Sequence, residues 1–144
     1  MISPTVTGEA PFRGLIDTNI VIHLAALDPA ELPDEMVISA VTLAELSAGP
    51  HHTADPGERA RRMSVLQHVE ATFDPLPFDA EAARAFGLIS AAVLAAGRGT
   101  HRRIADLMIV SVARSNGLPL YTTNPADFKG LDHLATIRPV RRPA

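Results

Sequence analysis

Cysteine and tryptophan are absent from this chain of 144 residues, and tyrosine occurs once. Without cysteine there is no disulfide framework and no thiolate zinc site, which suits a reducing compartment such as the cytoplasm. Long apolar runs are also missing. The stretch LISAAVLAA (88–96) and the run after Asp106 are too short to cross a bilayer, so no membrane role is expected. The opening MISPTVTGEAPFRG lacks the basic start and apolar centre of a signal peptide, so residues 1–11 read as a flexible leader. A net charge of −3 does not advertise a nucleic-acid binder. Lysine, however, occurs only at Lys129, and the remaining positive charge is arginine in clusters. Arginine forks suit phosphate better than lysine does, although a GC-rich genome would give the same bias.

What is present is an ordinary globular composition, 47% hydrophobic and 20% charged, of a length that makes one domain with one core. No internal repeat, low-complexity tract or interdomain linker interrupts it. FRGLID (12–17) reads as a buried strand, and NIVIHLAAL (19–27) has helical spacing, with Ile20, Leu24 and Leu27 on one stripe. MVISA (36–40) predicts a second strand and VTLAELSAG (41–49) a helix ended by glycine. A polar helix over about 57–72 carries Arg59, Arg61 and Arg62, and DPLPF (74–78) has room for a short strand. Asp79 caps an alanine-rich helix running to about 96, in which Phe86, Ile89, Val93 and Leu94 are candidate core residues. A further helix over about 102–115 stops at Asn116–Gly117. LPLYTT (118–123) and ATIRPV (135–140) predict the last strands. Strands alternating with helices imply a parallel sheet covered on both faces, an α/β/α sandwich filling 12–140, with residues 141–144 a basic tail.

In such a sheet the C-terminal ends of the strands and the N-termini of the following helices share one edge. Asp17 closes the first strand there, and Glu45 lies about one turn into the helix after the second. Asp106 opens its helix, and Thr122, Asn124 and Asp127 follow the LPLY strand. Each acid has a plainer reading alone: Asp17 as a helix cap, Glu45 as solvated surface, Asp106 as a partner of the helix dipole, Asp127 as a turn cap. Four acids far apart in sequence that converge on one rim repel one another, and a divalent cation removes that conflict. Oxygen-rich clusters suit Mg²⁺ and Mn²⁺, so Asp17 and Asp106 are expected as metal ligands, with Glu45 and Asp127 as further candidates.

The segments LIDTN (15–19), TLAEL (42–46), IADLMIVSVA (104–113) and LYTTNPADF (120–128) resemble, in order, the four acidic boxes of PIN-domain nucleases, and most of all VapC-type toxins of toxin–antitoxin pairs. The resemblance spans about 12–140. It implies a PIN-like sandwich, Mg²⁺- or Mn²⁺-dependent endoribonuclease activity on cellular RNA such as tRNA or rRNA, and inhibition by a small cognate antitoxin. Asp17, Glu45, Asp106 and Asp127 match the family's catalytic acids. Thr122 and Asn124 match its supporting polar positions, and Asn19 is a third candidate for support. Thr123 stands where an arginine is common in the family.

GRGTHRRIAD (97–106) sets Arg98, Arg102 and Arg103 before the third acid, where they are expected to grip RNA phosphate; a solvated turn is the plainer reading. It is no P-loop, for the Gly-Lys-Ser/Thr ending is missing. His51 and His52 are expected as loop surface, and Arg138, Arg141 and Arg142 carry no assigned role. The small-residue helix 80–96 suits close approach to another helix, and a homodimer is expected. Other classes fit less well. A phosphatase with an aspartyl nucleophile would want a second aspartate where Asn19 stands, and a receiver domain would want a lysine ending a late strand. A catalytically silent PIN-like module binding RNA or protein is the remaining alternative, and a missing acid would favour it.

Overall fold

The computed structural model describes residues 12–99 and 103–143. The expected leader 1–11 and Arg102 lie outside them. Four short strands form one sheet: β1 (Arg13–Ile16), β2 (Glu35–Val37), β3 (Leu120–Thr122) and β4 (Ile137–Pro139). Their order is β2-β1-β3-β4, and every pairing is parallel. Leu15 lies beside Val37 on one side and Leu120 on the other, which fixes the register of the three buried strands.

Period-two alternation sends neighbouring residues to opposite faces. Leu15, Val37 and Leu120 join one apolar cluster, with α4 (Ala80–Ala95) and α5 (Ile104–Ser115) over it. Ile16, Ile38 and Tyr121 join a second, covered by α1 (Thr18–Ile22), α2 (Ala40–Ala48) and α3 (Pro56–Thr72). The result is the expected three-layer α/β/α sandwich, with strands apolar on both faces because both faces are covered.

Several boundaries move. The expected helix 19–27 is only α1, followed by a 3₁₀ turn over Leu24–Ala26. The second strand stops at Val37 because Ser39 caps α2, its Oγ accepting the Thr42 N–H at 3.1 Å. The DPLPF strand shrinks to a single parallel bridge between Leu76 and Ser39. Of the apolar residues expected to pack from α4, Ile89 and Val93 are buried and Phe86 packs at the margin of the cluster. Leu94 is instead 60% exposed, since it falls off the stripe Ala82–Ala85–Ile89–Val93 that faces α5. Helix α5 ends at Gly117, whose φ of +65° is the left-handed conformation that glycine adopts without strain. Gly14 matters through space: a Cβ there would stand 2.4 Å from Tyr121 Cε1 across the sheet.

Candidate active site at the C-terminal rim

Asp17 follows β1 directly and is 3% exposed. Both its oxygens are engaged. Oδ1 accepts the Thr18 N–H at 2.9 Å, capping α1, and Oδ2 accepts the Thr122 hydroxyl at 2.8 Å from the end of β3. Thr122 Oγ1 in turn accepts the Asn124 N–H at 3.0 Å, so its hydrogen is left for Asp17. Asn19 closes the ring: its Nδ2 lies 3.4 Å from Asp17 Oδ2, and its Oδ1 accepts the Thr123 N–H at 3.4 Å. The plain reading and the functional one therefore coincide, since the same carboxylate caps a helix and faces the rim.

Burial is the largest influence on Asp17 and raises its pKa. The hydrogen bonds from Thr122 and Thr18 oppose that rise, and the charges of Glu45 and Asp127 add to it. Asp106, half-buried in the first turn of α5, is pushed up to about 6, first by desolvation and then by Asp17, Asp127 and Glu45, with Arg103 opposing. Each of the four expected acids thus acts electrostatically on at least one other. Groups distant in sequence have been brought to one rim.

Glu45 projects from α2, and its Oε1 accepts the Thr18 hydroxyl at 2.6 Å. Asp127 sits in the 3₁₀ turn Pro125–Phe128 that follows β3. Arg103 reaches it twice, 3.2 Å to Oδ1 and 3.1 Å to the backbone carbonyl. Arg98 donates to the Lys129 carbonyl at 2.9 Å and approaches that of Ala126. Both arginines therefore secure the turn that carries Asp127, a task that spacing alone did not reveal.

Among the described residues no three carboxylates or imidazoles are grouped closely enough to hold one ion between them. That disfavours an ion needing a closed protein cage. Mg²⁺ asks for less, since it keeps several of its own waters and takes one or two carboxylates. A rim of hard oxygen donors whose charges raise the pKa of Asp17 and Asp106 fits such an ion.

Residues the sequence left open also find places. Arg142 donates to the Asn124 side-chain oxygen and approaches the Thr123 carbonyl, which brings a guanidinium to the rim beside Thr123. Arg141 pairs with Glu31 at 2.6 Å and Asp28 at 3.6 Å, away from the acids. Arg138 lies over the Phe12 ring, 5.7 Å from its centroid. Arg59 and Arg62 donate to carbonyls of the turn Gly49–His52 and its neighbour Thr53. His51 and His52 are exposed in that turn. Thr18 and Thr42 were missed, because nothing in their spacing marks a hydroxyl that faces an acid.

Comparison with known proteins agrees with this fold. The PIN domain model matches residues 14–134. Ribonuclease VapC5 of Mycobacterium tuberculosis is 37% identical over 134 residues, covering 91% of this chain and 96% of that protein. The tRNA(fMet)-specific endonuclease VapC of Shigella flexneri is 33% identical over 129 residues, covering 85% and 94%. The crystal structure of VapBC-5, a member of the VapBC family of toxin–antitoxin systems from M. tuberculosis, superposes with a TM-score of 0.78 at 38% identity, over 92% of this chain and all of that one. With its acids in box order on the rim of a parallel sheet, the chain belongs to the PIN-domain family and, within it, to the VapC proteins.

Proposed function

We propose that this protein is a metal-dependent endoribonuclease, the toxin of a toxin–antitoxin pair, which cuts cellular RNA to arrest translation and growth. The observation that carries the reading is Asp17: a buried carboxylate, held at both oxygens, whose pKa is raised by burial and by Glu45 and Asp127, and which joins those two acids in adding to the rise that desolvation gives Asp106. A chain maintains such repulsion at a cost unless a cation relieves it. Relatives named as a ribonuclease and as a tRNA-specific endonuclease support RNA, and tRNA in particular, as substrate.

Asp17 and Asp106 would hold Mg²⁺, or Mn²⁺ in its place, with Glu45 and Asp127 adding negative charge beside them. When bound, the ion supplies Lewis-acid polarisation of phosphate and activation of water. The chain's own groups do the rest. Thr122 and Asn19 keep Asp17 in one orientation, as supporting groups around a ligand do. Glu45 would accept the proton of the attacking water. Arg103 and Arg98 hold the Asp127 turn, from which they would also meet the RNA backbone. A catalytically silent binding module would not need to retain every acid, and all four are retained.

The neighbour at 38% identity is VapBC-5, of the VapBC family of toxin–antitoxin systems, which supports a small antitoxin as partner. Among the described residues no helix is long and apolar enough to cross a membrane, in keeping with action in the cytoplasm. Exposed Leu88 and Leu94 on α4 support a homodimer packed through that helix. The test is cleavage of total tRNA by the purified protein with Mg²⁺ or Mn²⁺, in EDTA, and with Asp17→Asn. Cleavage that survives EDTA or the substitution would overturn the metal mechanism.

A further inference from the structure

Thr42 is fully buried beneath the rim, where valine would fill the same space with no hydroxyl to satisfy. Its hydroxyl belongs to a short chain. Ser39 Oγ lies 3.5 Å from Thr42 Oγ1, Thr42 Oγ1 lies 2.9 Å from Thr18 Oγ1, and Thr18 Oγ1 lies 2.6 Å from Glu45 Oε1. The acceptor at the end fixes the direction. An ionised carboxylate has no hydrogen to give, so Thr18 donates to Glu45. Thr18 has one hydroxyl hydrogen, so Thr42 must donate to Thr18, and Thr42 is left to accept from Ser39.

Glu45 is exposed on α2, and none of the ion pairs among the described residues involves it. Left to itself, such a side chain would sample many rotamers. Thr18 prevents this while holding Asp17 through its backbone N–H. One residue thus sets two acids from different elements relative to each other, and the buried Thr42 hydroxyl sets Thr18.

We propose that Thr18 and Thr42 are positioning residues that hold the Glu45 carboxylate in register with Asp17, through a one-way hydroxyl chain from the start of α2. Its catalytic consequence rests on the rim being the RNA-cleaving site proposed above; its structural content does not.

Thr42→Val tests it, because the cap of α2 survives: Ser39 Oγ accepts the backbone N–H of residue 42, which valine retains. In the metal-free protein, NMR scalar couplings should report one dominant Glu45 rotamer in the wild type and in Thr42→Ser. Averaged rotamers are expected in Thr42→Val, and more so in Thr18→Val. In RNA cleavage, kcat should fall up to about tenfold in Thr42→Val with KM little changed, on the order of one hydrogen bond between neutral hydroxyls, and Thr42→Ser should recover it. Identical Glu45 couplings in wild type and Thr42→Val overturn the proposal, as does a Thr42→Ser variant as slow as Thr42→Val. A wild type that cuts no RNA would instead sink the proposed function, and the couplings would still decide the hydroxyl chain.

Discussion

Asp106→Asn should make the metal-free protein more stable while removing its activity. The Asp106 pKa stands at about 6 against an ordinary 3.8. Between those values the folded protein holds a proton that the unfolded chain has released. Stability therefore falls as pH rises through the window, and the full penalty persists above about pH 6. At full strength the shift corresponds to about 3 kcal/mol. The group is half exposed, so solvent screening cuts this to roughly 1–2 kcal/mol. For a domain of this size that is a rise in Tm of roughly 3–8 °C in the variant. The assay is thermal unfolding in EDTA from pH 4 to 8, wild type against Asp106→Asn. The two curves should nearly meet near pH 4, diverge up to about pH 6 and run parallel beyond. Saturating Mn²⁺ should then stabilise the wild type, by about 2.7 kcal/mol at a hundred times its Kd, and the variant much less. A variant no more stable than wild type at pH 7.5, or a gap independent of pH, would refute the electrostatic account.

Other perturbations reach different parts of the molecule. Gly14→Ala drives a methyl into the Tyr121 ring and should cost about 1–3 kcal/mol, read from denaturant midpoints; an unchanged midpoint would mean the sheet gives way easily. Arg98→Gln with Arg103→Gln separates two roles. Loss of phosphate contacts would flatten the salt dependence of RNA binding by roughly 0.7 in log–log slope per contact, whereas a loosened Asp127 turn would lower kcat at unchanged slope. If an antitoxin arginine enters the rim in place of the cation, inhibition of the purified complex should weaken as Mn²⁺ is raised, and inhibition indifferent to metal would mean that the partner blocks RNA access instead.

The architecture was legible because it rests on periodicity. Leu15 and Ile16, or Leu120 and Tyr121, face opposite layers as alternation requires, and the glycine after α5 stops it where the sequence places the stop. Errors fell where local chemistry overrides pattern. Ser39 reads as part of an apolar strand until its hydroxyl is seen to cap α2. Leu94 reads as core by composition, although it lies beyond the stripe that meets α5. The convergence of the four acids followed from topology alone, since parallel strands deliver their C-terminal ends to one edge. The direction of a hydroxyl does not follow from topology, and Thr18 and Thr42 stayed hidden for that reason. Arg98 and Arg103 illustrate the same limit: their position beside Asp106 was visible, but the carbonyls they hold belong to a turn more than twenty residues away.

Asp17 shows how a single residue resists sorting into structure or function, and its substitutions can separate the two. One oxygen caps α1 and the other receives the Thr122 hydroxyl, while burial raises its pKa. Asparagine caps helices about as well as aspartate and carries no charge to bury. Asp17→Asn should therefore keep the cap and shed the desolvation cost; its Nδ2 replaces the oxygen that received the Thr122 hydroxyl, which offsets part of that gain, and the variant should melt close to the wild type in EDTA. Asp17→Ala also loses the Thr122 hydrogen bond and, unlike asparagine, the cap, so it should fall below Asp17→Asn by about 1 kcal/mol. Both should be inactive, because neither offers a charged oxygen to the rim. Should Asp17→Asn instead fall below the wild type by more than the one Thr122 hydrogen bond is worth, about 1 kcal/mol, the carboxylate's charge would be supporting the fold, and the repulsion on which the cation argument depends would not exist.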